Sequence, residues 1–136
     1  MLSISKPRVM QKSKRPETAP SVWKVRFTES AVADIDAILS FIAERDGVEQ
    51  AKMLLGLFQK CKESLAVFPL RGHFPPELLR LHISEFREVH VRVYRVIYQM
   101  DISDNHVYIH AVLDGRRHVD ELLRERLLRE NMEFLS

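Results

Sequence analysis

Arginine and histidine are the side chains of this sequence whose placement could do chemistry, and they gather in three stretches. These are Arg80-Leu81-His82, the run Phe86-Arg87-Glu88-Val89-His90-Val91-Arg92-Val93-Tyr94-Arg95, and Asp114-Gly115-Arg116-Arg117-His118. A guanidinium presents five N–H donors in a planar fork, so clustered arginines can grip phosphates or carboxylates in paired, charge-assisted hydrogen bonds. Imidazole titrates near neutrality, so His90, His110 or His118 beside such arginines would suit general acid–base cleavage of RNA. The plainer reading of the same residues is a solvated face, with arginines paired to Glu85, Glu88 and Asp114 and the histidines bonded to backbone or water.

Other chemistries have less to stand on. The six histidines include no HExxH and no HxH, and no histidine group with carboxylates at a diagnostic metal spacing, so no metal is expected. Neither GxxxxGK[ST] nor GxGxxG occurs, and only four glycines are present; nucleotide hydrolysis and dinucleotide redox chemistry are poorly supported, and no cofactor is expected. Cys61 is the single cysteine, which excludes an intrachain disulfide and a cysteine-based zinc site.

The elements that must position these residues follow from apolar periodicity. Val22 to Phe27 is rich in strand formers. Thr28 is a plausible N-cap, and Ala31, Ile35, Ile38 and Ile42 recur at helical spacing, which predicts a helix over 29–45. Asp46-Gly47 breaks it; Val48, Ala51, Leu54, Leu55, Phe58, Cys61, Leu65 and Phe68 restart it until Pro69. Two long amphipathic helices with a two-residue break predict an antiparallel hairpin, and Cys61 on its apolar stripe reads as a buried thiol.

Leu70 to Pro76 reads as loop, with Leu78, Leu79 and Leu81 compatible with an edge strand or a helical turn. Phe86 to Met100 is too long for one strand, so a bend near Val91-Arg92 is expected. Val107 to Leu113 is a further strand, and Val119, Leu122, Leu123 and Leu127 mark a terminal helix. On one regular strand, Arg87, Val89, Val91, Val93 and Arg95 would share a face opposite His90, Arg92, Tyr94 and Tyr98; a bend exchanges the faces part-way. The predicted fold is α+β: an N-terminal strand, an antiparallel helical hairpin packed on a small, mostly antiparallel sheet, and a C-terminal helix.

At 136 residues the chain fits one domain, and 46% hydrophobic with 29% charged residues marks a globular composition. No apolar run approaches the ~20 residues of a membrane span, and the N-terminus lacks a signal-peptide pattern, so the cytoplasm is the expected compartment. The net charge of +2 divides unevenly. Residues 1–21 hold five basic side chains against Glu17 and three of the six prolines, and read as a basic, disordered arm. Residues 22–136 hold 16 basic and 18 acidic side chains, so bulk charge gives the domain no affinity for nucleic acid.

Three segments together, VRFTESAVADIDAILSFIAE, PPELLRLHISEFREVHVRVYRVIYQ and VYIHAVLDGRRHVDELLRERL, resemble the RelE/ParE superfamily of toxins from bacterial type II toxin-antitoxin (plasmid stabilisation) systems. The resemblance runs from Val22 to about Leu128. It implies a growth-inhibiting toxin bound and neutralised by a small cognate antitoxin, in a complex that reaches operator DNA through the antitoxin. The superfamily divides by mechanism into RelE-like ribosome-dependent mRNA endoribonucleases and ParE-like inhibitors of DNA gyrase. RelE-like chemistry would place Arg95 and Arg117 on the scissile phosphate, with His90 or His118 as substitutes for missing acid–base groups. Arg87, Arg92, Tyr94 and Arg116 would be partner- or phosphate-binding residues. Two family positions depart: Val89 stands where a second lysine is expected and Leu123 where a tyrosine is expected. Those departures, with the long helical hairpin, point to the ParE-like inhibitor, with the mRNA nuclease or an inactive binding-only relative as alternatives.

Overall fold

The computed structural model describes residues 22–126; the expected arm over residues 1–21 and Leu127 of the terminal stripe lie outside the described residues. Strand β1 (Lys24–Phe27) leads through Thr28 into helix α1 (Glu29–Asp46). The Thr28 hydroxyl accepts the Ala31 amide at 3.2 Å, satisfying one of the donors a helix start leaves unpaired. The break after α1 is a single residue, Gly47, whose φ of 105° is readily adopted only without a Cβ. Helix α2 (Val48–Val67) begins at once.

A 3-10 turn (Pro69–Arg71) and a four-residue helix α3 (Pro76–Leu79) follow, so the leucines around position 79 begin as a helical turn rather than an edge strand. Strands β2 (Phe86–Val91), β3 (Tyr94–Asp101) and β4 (His106–Asp114) complete a sheet ordered β1-β4-β3-β2. The pairs β2–β3 and β3–β4 are antiparallel, whereas β1 joins β4 in parallel. Residues 119–126 form the described part of the terminal helix, α4.

The expected bend is a tight hairpin turn at Arg92-Val93, with Arg92 in the left-handed region at φ 53°. This turn decides which residues meet. Tyr94 pairs with Val91, Arg95 with His90, Val96 with Val89 and Tyr98 with Arg87. Cross-strand partners share a face, so Arg95 stands beside His90 and opposite Arg87, the reverse of what one continuous strand would give.

Each face of the sheet has its own core. Val89, Val91, Val96, Tyr98, Val107, Ile109 and Val112 pack against Ala31, Ile35, Ile42, Leu54, Phe58, Cys61 and Leu65 of the hairpin. On the reverse face Phe86, Ile97, Ala111 and Leu113 meet Leu78 of α3 and Val119 and Leu123 of α4. A register shift opposite Ile97/Tyr98 leaves His110 as an extra residue in β4, and the bulge lets its ring meet Phe86 edge-on at 5.5 Å.

Candidate functional site

Arg95 is carried by the central strand β3, yet the residue lies almost wholly buried at the edge of the second core, 7% exposed. It stays ionised there because two carboxylates converge on it. Glu88 of β2 takes Nε at 2.7 Å and Nη2 at 2.8 Å. Glu77 of α3 takes Nη1 at 2.7 Å and Nη2 at 2.8 Å. Nη1 also donates to the backbone carbonyl of Arg117 at 3.1 Å. These five hydrogen bonds engage all five N–H groups a guanidinium owns. The Glu77 bonds, followed by those of Glu88, raise the Arg95 pKa further, and in return Arg95 holds the Glu77 carboxyl down to about 2.

The clamp also fastens the chain. Glu77 Oε2 accepts the Val119 amide at 3.4 Å at the start of α4, so one guanidinium ties α3, β2, β3 and the segment before α4 together. Glu88, read from sequence as a surface partner for arginine, is instead 1% exposed.

Arg95 and Arg117 therefore meet only through the Arg117 carbonyl; the Arg117 side chain is exposed. Arg116 is also exposed and forks onto Asp114, with Nε to Oδ1 at 3.1 Å. His118 stands beside them in an open groove of about 690 Å³ that Glu121, Arg124 and Glu125 also line, so its charge is mixed.

Arg87 donates to the Gly72 carbonyl at 2.9 Å and lies 4.5 Å over the Phe74 ring. Arg92 is exposed at the hairpin turn. Tyr94 packs 6.0 Å from Phe58 and, with Ile38, Phe41, Leu113, Arg117 and Arg126, lines a second groove of about 300 Å³ between α1, β4 and α4. Phe41 is 56% exposed there, so this groove joins apolar surface to a charged rim. Val89 and Leu123, where the resemblance asked for a lysine and a tyrosine, are both buried.

Two features were hidden in the sequence. Asp34 accepts the Val112 amide at 2.9 Å and pairs with Arg126, Nη2 to Oδ1 at 2.7 Å; Arg126 also reaches the His110 carbonyl at 2.8 Å. The 78- and 92-residue separations leave no local signal for these contacts. His73, a position with no expected role, bridges β2 so that its ring and that of His90 both flank Glu88. Burial, then the nearby Arg126 charge, pushes His110 down to about 4, and its Nε2 lies 3.0 Å from Gln99 Oε1.

No described helix is long and apolar enough to cross a membrane. No curated protein matches the chain significantly. Among solved structures it is similar in fold to the chromosomal ParDE toxin-antitoxin system from P. aeruginosa, with 16% identity over 69% of this chain and 97% of that one, at a TM-score of 0.56. It is likewise similar to the toxin-antitoxin complex RelBE2 from Mycobacterium tuberculosis, with 21% identity, coverage of 68% and 91%, and a TM-score of 0.51. The model of the family described as "ParE toxin of type II toxin-antitoxin system, parDE" matches residues 25–119, within which lie both strands of the Arg95 clamp and the long helical hairpin. The chain thus belongs to the ParE toxin family, within the RelE/ParE superfamily of toxin-antitoxin toxins.

Proposed function

We propose that this protein is a growth-inhibiting toxin that acts by occupying DNA gyrase rather than by cutting RNA, and that a small cognate antitoxin neutralises it. The observation that carries the choice is the Arg95 clamp: with all five N–H groups engaged by Glu77, Glu88 and the Arg117 carbonyl, the arginine that would neutralise a scissile phosphate has no donor left to offer one. Burial of Val89 and Leu123 supports the same reading. Inhibition by binding needs apolar surface with a charged rim instead, and the groove lined by Phe41, Tyr94, Leu113, Arg117 and Arg126 supplies it.

The test is expression of the chain with and without the cognate antitoxin expected from the adjacent gene, with transcript mapping and a supercoiling assay on purified gyrase in parallel. Lost supercoiling with intact transcripts is expected without the partner, and recovery with it. Ribosome-dependent cuts with normal supercoiling would replace this reading with the mRNA endoribonuclease. Phe41→Ala and Arg117→Ala should weaken gyrase inhibition while leaving thermal stability near wild type, because both side chains are exposed.

A further inference from the structure

Glu88 has a second side. Its carboxylate is held from within by Arg95, and from the solvent side two imidazoles close on it: His73 Nε2 lies 3.4 Å from Oε2 and His90 Nε2 lies 3.3 Å from Oε1. The three potential ligand atoms all fall within 4.8 Å of one another. We propose that His73, Glu88 and His90 form a binding site for a divalent transition-metal ion of the zinc type, at the β2 edge of the sheet.

Four observations support it. The first is spacing: ligands bonded to zinc at 2.0–2.1 Å in a tetrahedron stand about 3.4 Å apart, and each imidazole nitrogen already lies that far from one Glu88 oxygen, His73 from Oε2 and His90 from Oε1. To share one ion the two rings must draw together and one of them must close on the other oxygen, and with side chains 57% and 55% exposed they have room to turn.

The second is preorganisation. His90 follows Glu88 by two residues, which puts both on one face of β2. His73 is pinned opposite by reciprocal backbone bonds, His73 N to Glu88 O at 3.0 Å and Glu88 N to His73 O at 2.7 Å. The two-point fork from Arg95 fixes the carboxylate itself, the orienting role that outer partners play around metal ligands.

The third is charge. Glu77 and Glu88 share the single positive charge of Arg95, so the three side chains carry one net negative charge, which a dication beside Glu88 offsets. The fourth is donor type: two imidazoles and one carboxylate suit zinc, nickel or copper, whereas magnesium and calcium prefer all-oxygen surroundings. Three protein ligands leave a fourth position for water or an external ligand. The ion would lock the segment carrying His73 onto β2 and so cover part of an open sheet edge.

The experiment is calorimetric titration of the purified, tag-free full chain with zinc chloride, alongside thermal unfolding with and without the metal. One ion per chain and a raised Tm are expected, with no response to magnesium or calcium. His73→Ala and His90→Ala should each weaken zinc affinity at least tenfold while keeping the metal-free Tm, and His106→Ala, remote from the cluster, should not. Absence of saturable zinc binding, or unchanged affinity in either His73→Ala or His90→Ala, would overturn the proposal.

Discussion

Arg95 and Glu88 face each other diagonally across the β2–β3 hairpin, joined by two hydrogen bonds of 2.7 and 2.8 Å where the carboxylate is 1% exposed. Such a pair offsets the desolvation of its two charges only while both partners and their remaining bonds are present. The residue that a sequence reading places on a phosphate is therefore first a residue the fold depends on.

Removing Arg95 should unfold the protein more readily than any exposed substitution. Arg95→Ala leaves Glu88 buried without its guanidinium, and a loss of about 3–5 kcal/mol is expected. Arg95→Lys should recover only part of this, since an ammonium with three donors cannot span four carboxylate oxygens and a carbonyl. Urea denaturation of both variants checks the point; an Arg95→Lys protein as stable as wild type would show that the fork is dispensable.

Stability should fall with acid in two overlapping windows. His110 titrates near 6.5 when unfolded and at about 4 when folded, so from pH 6.5 down to 4 the unfolded chain takes up the extra proton and gains on the folded one. Of the order of 3 kcal/mol is at stake, and His110→Gln should flatten that part of the profile. Glu77 is depressed to about 2 by Arg95; its contribution, whole above the ordinary carboxylate value of 4.5, is withdrawn as pH falls from there toward 2. Glu77→Gln should flatten this lower window and leave the upper one, as denaturation midpoints across pH would show.

Terminal helix α4 should detach when Asp34 is lost. Asp34 holds both the Val112 amide and Arg126, so Asp34→Ala removes the ion pair and orphans a backbone donor, at about 2–4 kcal/mol. Hydrogen exchange over residues 119–126 should accelerate well ahead of exchange in β3. Equal acceleration in both would mean that the helix unfolds only with the whole domain.

Gly72 should not accept a side chain. A Cβ there would lie 2.5 Å from the Tyr98 hydroxyl and 2.8 Å from the Glu88 carbonyl, and that hydroxyl is itself held, donating to the Pro69 carbonyl at 2.6 Å and accepting the Gly72 amide at 3.0 Å. Gly72→Ala is expected to lower the Tm by several degrees. Tyr98→Phe alone should cost about 2 kcal/mol by orphaning two buried backbone groups. The double variant should not return to wild type, because the Glu88 backbone still blocks the methyl group.

The sequence by itself determined the long helices, the main strands and the family, while the short segment around Leu78 stayed open between a strand and a helical turn. Apolar spacing around Ile35, Leu54, Phe58 and Leu65, the break at Gly47, the N-cap at Thr28 and the turn near Arg92 are local signals, because helix and strand periods and backbone freedom act over a few residues. Only the tertiary structure decided what the polar residues do. The turn at Arg92-Val93 set the register that put Arg95 with His90 and Glu88 rather than with Arg87. Docking of α3 then brought Glu77 to the same guanidinium, and pairing with β2 brought His73 to Glu88. Whether an arginine serves a phosphate or a carboxylate depends on which acceptors reach its donors in the folded state, and contacts between residues far apart in the chain exist only once the sheet and both of its covering layers are in place.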